Sequence, residues 1–101
     1  MPLVKVASIR ELAPGTVIEV TAGGKPYALC NVDGELHALE GVCPHRGGPL
    51  GQGSLQGAVL VCPWHSWEFD CRTGENTWDS ATRVNRVPVT VEGDDVLIDI
   101  P

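Results

Sequence analysis

The chain lacks long apolar runs, an excess of positive charge and the pattern of an export signal. No apolar stretch approaches the length that a membrane-spanning helix needs. Residues 1–8 do not show a basic region followed by an apolar stretch and a cleavage site. Seven Lys and Arg against thirteen Asp and Glu give a formal charge of −6, which disfavours nucleic acid and anionic membranes as partners. We therefore expect a soluble, cytoplasmic protein with no nucleic-acid or membrane partner.

Constellations typical of catalysis are also missing from the sequence. The carboxylates are scattered, without a pair placed for acid–base chemistry, and no serine–histidine–acid arrangement is apparent. Repeats and low-complexity segments are absent as well. At 101 residues the chain is expected to form one domain with a modest core. We expect a protein that is not itself an enzyme and that is a monomer.

The turn residues and the apolar alternation favour an all-β fold. Twelve glycines and eight prolines are typical of a turn-rich β protein. Asp33-Gly34 between apolar stretches predicts a type I′ hairpin, and Val87, Val89 and Val91 alternate as in a half-buried strand. Residues 8–11 have the capping-box pattern of a single helical turn. We expect an antiparallel β-sandwich or a small barrel, with early strands at about residues 4–7, 16–22, 25–31 and 35–39.

Two short segments, Cys43-Pro44-His45 and Cys62-Pro63-Trp64-His65, each carry one cysteine and one histidine. Thiolates and imidazoles in matched pairs are typical of a metal site. Two cysteines can hold one iron and two histidines the other, which would complete a [2Fe–2S] cluster between two loops. Glycines at 47 and 48 would let backbone N–H groups approach the cluster sulfurs. A zinc module remains an alternative, since zinc also takes Cys₂His₂ sets.

The spacing C-x-H, sixteen residues, then C-x-x-H resembles the motif of the Rieske family. The resemblance covers most of the chain and continues through residues 64–70 and 72–75. It implies one Rieske-type [2Fe–2S] cluster with the ligands Cys43, His45, Cys62 and His65. It also implies a single domain, 1–101, in which a cluster-binding insertion at about 40–77 interrupts base strands at about 1–39 and 78–101.

The residues around the motif are similar to those of the Rieske ferredoxins rather than those of the respiratory branch. Gly48 and Trp64 stand where the respiratory branch has a disulfide, and Trp67 and Phe69 stand where it has a serine and a tyrosine. The shielding segment that commonly carries a proline has none in residues 78–83, where Trp78 would take its place.

The family resemblance implies a soluble one-electron carrier. Such ferredoxins pass electrons from a flavoprotein reductase to a terminal oxygenase, with aromatic-ring-hydroxylating dioxygenase systems as the precedent. The alternative is a small electron-transfer subunit of a larger enzyme, such as assimilatory nitrite reductase.

The sequence also predicts the environment of four further residues. Cys30 and Cys71 lie in apolar or strand-like surroundings without a neighbouring histidine, so we expect buried reduced thiols, with a disulfide between them as the alternative. His37 lies in an expected strand and is interpreted as structural or merely exposed. Arg46 follows His45 and is expected at an exposed tip.

The missing hydroxyls at positions 67 and 69 predict a low reduction potential for a Rieske centre. Fewer hydrogen bonds to sulfur leave more electron density on the cluster, and this disfavours the reduced state. A redox titration of the purified protein is expected to give a potential at the low end of the family's range. A strongly positive potential would contradict the prediction.

Overall fold

The computed structural model describes residues 3–44, 46–64 and 66–101. These residues form ten strands and two short 3-10 helices, the latter at Ile9–Glu11 and Leu50–Gln52. The strands are, in chain order, β1 (Leu3–Ser8), β2 (Val17–Ala22), β3 (Lys25–Val32), β4 (Glu35–Glu40), β5 (Ser54–Gln56), β6 (Val59–Val61), β7 (Glu68–Asp70), β8 (Arg86–Val87), β9 (Val89–Glu92) and β10 (Asp95–Asp99). Neither helix is long and apolar enough to cross a membrane, and the described part of the chain contains no other candidate.

Turn chemistry sets the strand boundaries where the sequence predicted them. Asp33 and Gly34, between β3 and β4, have φ values of 52° and 91°, so both central residues are left-handed as a type I′ turn requires. The strands predicted before and after this turn begin and end within one or two residues of the observed positions.

The predicted helical turn near the N-terminus is confirmed as a 3-10 helix with a capping box. The backbone N–H of Arg10 donates to Ser8 Oγ at 3.3 Å, and the N–H of Ser8 donates to Glu11 Oε1 at 3.1 Å. These bonds satisfy donors that a helix start leaves without partners. The capping box therefore turns the chain from β1 toward Leu12, which is fully buried.

The strands form three antiparallel sheets, which confirms the all-β fold class. Their orders are β1-β10-β9, β2-β3-β4-β8 and β5-β6-β7. One hydrophobic core lies between the first two sheets and includes Ala7, Leu29, Val96 and Ile98. A second core joins the four-stranded sheet to the β5-β6-β7 sheet and the loops beside it.

Strand β3 contributes to both cores. Tyr27 and Leu29 belong to the first core, whereas Ala28, Cys30 and Val32 belong to the second. Because successive side chains of a strand point to opposite faces, a strand covered on both sides has a nearly continuous apolar sequence. The four-stranded sheet therefore forms a middle layer.

The second 3-10 helix packs closely on β2 and so fixes the end of the first cysteine-bearing segment. A Cβ at Gly51 would lie 2.6 Å from Glu19 Cα, a separation that only glycine permits. Gln52 Nε2 donates to Glu19 Oε1 at 3.1 Å, and Leu50 beside it is fully buried.

Candidate metal centre

The first cysteine-bearing loop begins where β4 ends. The N–H of Gly41 donates to the carbonyl of Pro26 at 3.0 Å, which anchors the start of the loop to β3. The N–H of Cys43 donates to the carbonyl of Gly48 at 2.9 Å, and the N–H of Gly47 donates to the carbonyl of Cys43 at 2.8 Å. The loop is thus closed on itself by backbone hydrogen bonds. The N–H of Gly47 is used within the loop, so the expected approach of backbone N–H groups to a cluster sulfur stays a prediction for the other N–H groups of this loop.

The second loop connects β6 to β7 and is closed in a similar way. The N–H of Cys62 donates to the carbonyl of Trp67 at 2.7 Å. The N–H of Trp64 donates to Cys62 Sγ at 3.4 Å, an interaction of the kind that stabilises negative charge on sulfur. Ser66 has a φ of 58°, an uncommon conformation for a residue with a side chain, which marks a tight reversal in this loop.

The two cysteine thiols converge between the loops. Cys43 and Cys62 are 2% and 1% exposed, neither is in a disulfide, and their side chains are hydrogen-bonded to each other. Burial raises the pKa of the Cys62 thiol, and the neighbouring Cys43 thiol raises it further. The hydrogen bond from the N–H of Trp64 acts in the opposite direction and lowers this pKa. Metal binding would replace these protons. The other two predicted ligands, His45 and His65, lie outside the described residues.

Gly48 lies directly against the second loop. A Cβ at this position would be 2.8 Å from Cys62 Sγ and 3.2 Å from the ring of Trp64. The indole of Trp64 therefore lies over the backbone of Gly48, next to Cys62 Sγ. Two thiols facing each other, with a glycine backbone packed against one of them, fit a compact cluster held between two loops.

The aromatic residues after the second loop pack against one another. Trp67 and Trp78 are in edge-to-face contact, with ring centroids 5.8 Å apart and an interplanar angle of 71°. Trp78 is 59% exposed, whereas Phe69 is fully buried. Trp67 also packs against the second core, to which Phe69 belongs.

Asn76 is a structural residue that no motif in the sequence indicated. Its side chain is buried, with Nδ2 donating to the carbonyl of Glu68 at 3.1 Å and Oδ1 accepting the N–H of Trp78 at 3.1 Å. Asn76 therefore ties the Trp78 segment to β7. An Asn before a turn is too common in sequences to have indicated this.

The expectations for the remaining residues are confirmed. Cys30 and Cys71 are free and buried, and Arg46 is exposed. His37 is structural, because it is 6% exposed and both ring nitrogens have partners. Arg86 donates to Nδ1 at 3.1 Å, so Nε2 carries the proton and donates to Glu35 Oε1 at 2.7 Å.

The contact of Gly48 with the second loop predicts a strong effect of a single methyl group. Gly48→Ala is expected to speed the loss of iron by about tenfold, because the added Cβ displaces Cys62 Sγ and Trp64. Iron per chain and the visible spectrum would be followed during incubation with a chelator. Gly57→Ala is the control, since a Cβ there meets nothing within 4 Å although its φ of 61° makes it strained. Equal rates of iron loss in the two variants would contradict the prediction.

Comparison with known proteins agrees with this geometry. The Rieske [2Fe-2S] domain family matches residues 2–91. The ferredoxin component of biphenyl 2,3-dioxygenase from Rhodococcus jostii (strain RHA1) is 36% identical over 101 residues, covering 99% of this chain and 94% of that protein.

Solved structures show the same similarity. The ferredoxin of carbazole 1,9a-dioxygenase from Nocardioides aromaticivorans IC177 superimposes with a TM-score of 0.88 at 26% identity, covering 97% of both chains. A chain in a complex of reduced oxygenase and oxidised ferredoxin of carbazole 1,9a-dioxygenase gives a TM-score of 0.86 at 28% identity, with 95% of this chain and 91% of that chain covered.

A protein named as a nitrite reductase (NADPH) small subunit also superimposes, with a TM-score of 0.81 over 99% of this chain and 100% of that one. Its identity of 21% shows a common fold only. The family match extends over most of the sequence and includes both cysteine-bearing loops. The chain therefore belongs to the Rieske [2Fe–2S] family and carries one cluster of that type.

Proposed function

We propose that this protein is a soluble, cytoplasmic one-electron carrier that takes electrons from a flavoprotein reductase and delivers them to a terminal oxygenase. It is then a component of an oxygenase system and not the oxygenase itself. Family membership supports the cluster, and the full-length similarity to ferredoxin components supports the role of carrier. The observation that carries the proposal is an apolar, nearly uncharged surface beside the two converging thiols.

We propose the ligand set Cys43, His45, Cys62 and His65, with the cysteines on one iron and the histidines on the other. Two buried thiols facing each other between the loops support the cysteine half of this set. The histidine half rests on the sequence motif. When bound, the cluster would supply a single-electron acceptor, and neutral imidazoles in place of two thiolates raise its potential above that of plant-type ferredoxins.

We also propose that the chain functions as a single domain, 1–101. Base strands at about 1–39 and 78–101 would support a cluster-binding insertion at about 40–77. The second core, in which Cys43, Leu60 and Phe69 meet Ala28 and Leu39 of the middle sheet, supports a rigid connection between these parts.

The surface beside the thiols contains an apolar strip, which we call the contact strip and define as Val42, Gly47 and Trp64, with Gly48 buried beneath the Trp64 ring. Val42 is 50% and Trp64 49% exposed. A Cβ at Gly47 would lie 4.0 Å from Val42 Cγ1, and one at Gly48 would lie 3.2 Å from the Trp64 ring. The strip therefore crosses both loops and passes next to Cys62 Sγ.

Charge is nearly absent from this part of the chain. Between residues 41 and 67 the only charged residue, histidines aside, is Arg46, and all thirteen Asp and Glu lie elsewhere in the sequence. A partner that docks on the contact strip therefore desolvates few charges, while the acidic remainder can orient the approach of a basic partner surface. An oxygenase face that is apolar around its electron-accepting site would fit this distribution. The reductase would use the same strip in alternation.

The small-subunit alternative has weaker support. The nitrite reductase small subunit shares only the fold, whereas the similarity to dioxygenase ferredoxins extends to sequence over nearly the whole length.

The ligand set predicts which histidines the cluster requires. Replacement of His45 or His65 by Ala is expected to abolish the EPR signal of low average g that a reduced Rieske cluster gives, since an imidazole ligand is lost. The measurement is an EPR spectrum after dithionite reduction. His37→Asn is the control, because His37 bonds to Glu35 and Arg86 and should leave the signal in place. A persistent Rieske signal in either of the first two variants would rule out that ligand.

The contact strip predicts a selective loss of electron delivery. Val42→Asp should raise the KM for the carrier by about tenfold in turnover with a terminal oxygenase, because a carboxylate would have to be desolvated on docking. The oxygenase component of a biphenyl dioxygenase is a suitable acceptor.

Val91→Asp is the matched control for this test. Val91 is 47% exposed and lies on β9, in a sheet whose buried residues belong to the first core and not to the core of Cys43 and Cys62, so the same substitution should leave KM unchanged. A redox titration of both variants separates docking from changes of potential. Equal KM values for the two variants would contradict the assigned docking face.

A further inference from the structure

Two cysteines of the second core, Cys30 and Cys71, are not part of the proposed ligand set. Cys30 lies on β3 of the middle sheet, and Cys71 directly follows β7 of the β5-β6-β7 sheet. Both side chains are fully buried, both are free, and the two thiols are hydrogen-bonded to each other. Two sulfurs from different sheets therefore lie in contact inside the protein.

The charged groups around Cys30 and Cys71 affect the pKa values of the two thiols differently. The hydrogen bond from Cys30 lowers the pKa of the Cys71 thiol, and the positive charges of Arg72 and Arg86 lower it as well. Burial and the negative charge of Asp70 act in the opposite direction, but the pKa is lowered overall. Arg86 is held by its hydrogen bond to His37 Nδ1 at 3.1 Å, and Glu35 holds His37 in turn. Arg72 and Arg86 therefore place positive charge near Cys71, and this favours a thiolate at that member of the pair.

The position of the pair in the sequence gives its oxidation a structural consequence. Residues 30 and 71 lie on either side of both cysteine-bearing loops, so a bond between them would enclose residues 31–70 in one covalent ring. The ring would also connect the middle sheet to the sheet that follows the loops. A crosslink of this kind restricts the unfolded chain and so favours the folded one.

We propose that Cys30 and Cys71 are a modification site, which forms a reversible disulfide on exposure to hydrogen peroxide and keeps the protein folded when the cluster is lost. Without a cluster, nothing covalent joins the two loops, and the free energy of metal binding no longer contributes to folding. The disulfide would take over that connection until a cluster is rebuilt.

The chemistry balances as a two-electron oxidation. The Cys71 thiolate attacks one oxygen of hydrogen peroxide, the O–O bond breaks, and hydroxide leaves, which gives a sulfenic acid at Cys71. The Cys30 sulfur then forms the S–S bond and displaces the sulfenic hydroxyl, which leaves as water with the proton of Cys30. In sum, two thiols lose two electrons and two protons, and one peroxide becomes two waters. Small thiols would reverse the reaction by exchange.

Access to the pair requires a local opening, because neither cysteine is exposed. The segments that must separate are the end of β7 and the middle sheet, which are joined by side-chain packing and not by strand pairing. Such openings cost less than global unfolding. Loss of the cluster would make these local openings more frequent. The disulfide would therefore form mainly in protein that has lost its cluster, which is the protein that the disulfide stabilises.

The test begins with the cluster-loaded protein and hydrogen peroxide. After removal of the peroxide, the chain is denatured, free thiols are alkylated, and the protein is cleaved after glutamate. This cleavage places Cys30 in peptide 20–35, Cys43 and Cys62 together in peptide 41–68, and Cys71 in peptide 69–75. A Cys30–Cys71 disulfide therefore appears as a crosslink between the first and third peptides. Mass spectrometry distinguishes it from a bond between the cluster cysteines, which stays within one peptide.

We expect the 20–35 to 69–75 crosslink in peroxide-treated protein and its disappearance after treatment with a thiol reductant. Cys71→Ala and Cys30→Ala should abolish it, and the visible spectrum before treatment shows that each variant folds and carries a cluster. Complete alkylation of Cys30 and Cys71, or a crosslink only within peptide 41–68, overturns the proposal.

A second measurement tests the protective role. After peroxide treatment and chelation of iron, proteolysis of the wild-type chain should be at least about tenfold slower than that of Cys71→Ala, because the ring limits unfolding. Addition of reductant should remove the difference. Equal rates in the oxidised wild type and the variant overturn the role in retaining the fold.

Discussion

The burial of β3 on both faces is the constraint on which the remaining structure depends. Tyr27 and Leu29 pack toward the sheet of β1, β10 and β9, while Ala28, Cys30 and Val32 pack toward the cysteine loops. A displacement of this strand would disturb two cores together, so the middle sheet is held firmly and the loops on it are held with it. For a one-electron carrier this rigidity is useful, because little of the protein around the cluster has to rearrange when the electron arrives or leaves.

Close backbone approach is the second feature that organises the site. Gly41 meets the backbone of Pro26, Gly51 meets Glu19, and Gly48 meets Cys62 Sγ. Each contact leaves no room for a side chain, and together they hold the first loop against the base and the second loop against the first. The absence of a side chain at Gly48 also lets the Trp64 ring lie over it. This leaves an apolar surface close to Cys62 Sγ, where a partner can dock with few charged groups to desolvate.

The four cysteines suit two different kinds of chemistry because their surroundings differ. Cys43 and Cys62 lie in loops between strands, each with a histidine within three residues in the sequence. All four belong to the second core, but Cys30 lies on β3 and Cys71 directly follows β7, with Arg72 and Arg86 as the nearby cations. The first pair suits a metal and single-electron transfer, and the second suits sulfur–sulfur bond formation and a two-electron change.

Local chemistry in the sequence determined the elements and the cofactor. Asp33-Gly34 required a tight hairpin, the capping box at Ser8 required a helical turn, and the paired Cys and His segments required a metal bound between two loops. Tertiary structure alone decided that β3 has two buried faces, that Gly48 touches Cys62, that Arg86 reaches His37 and that Cys30 meets Cys71. Turns and caps depend on residues a few positions apart, so a sequence displays them directly. The other contacts join residues far apart along the chain, and they exist only because three sheets stack with one particular register.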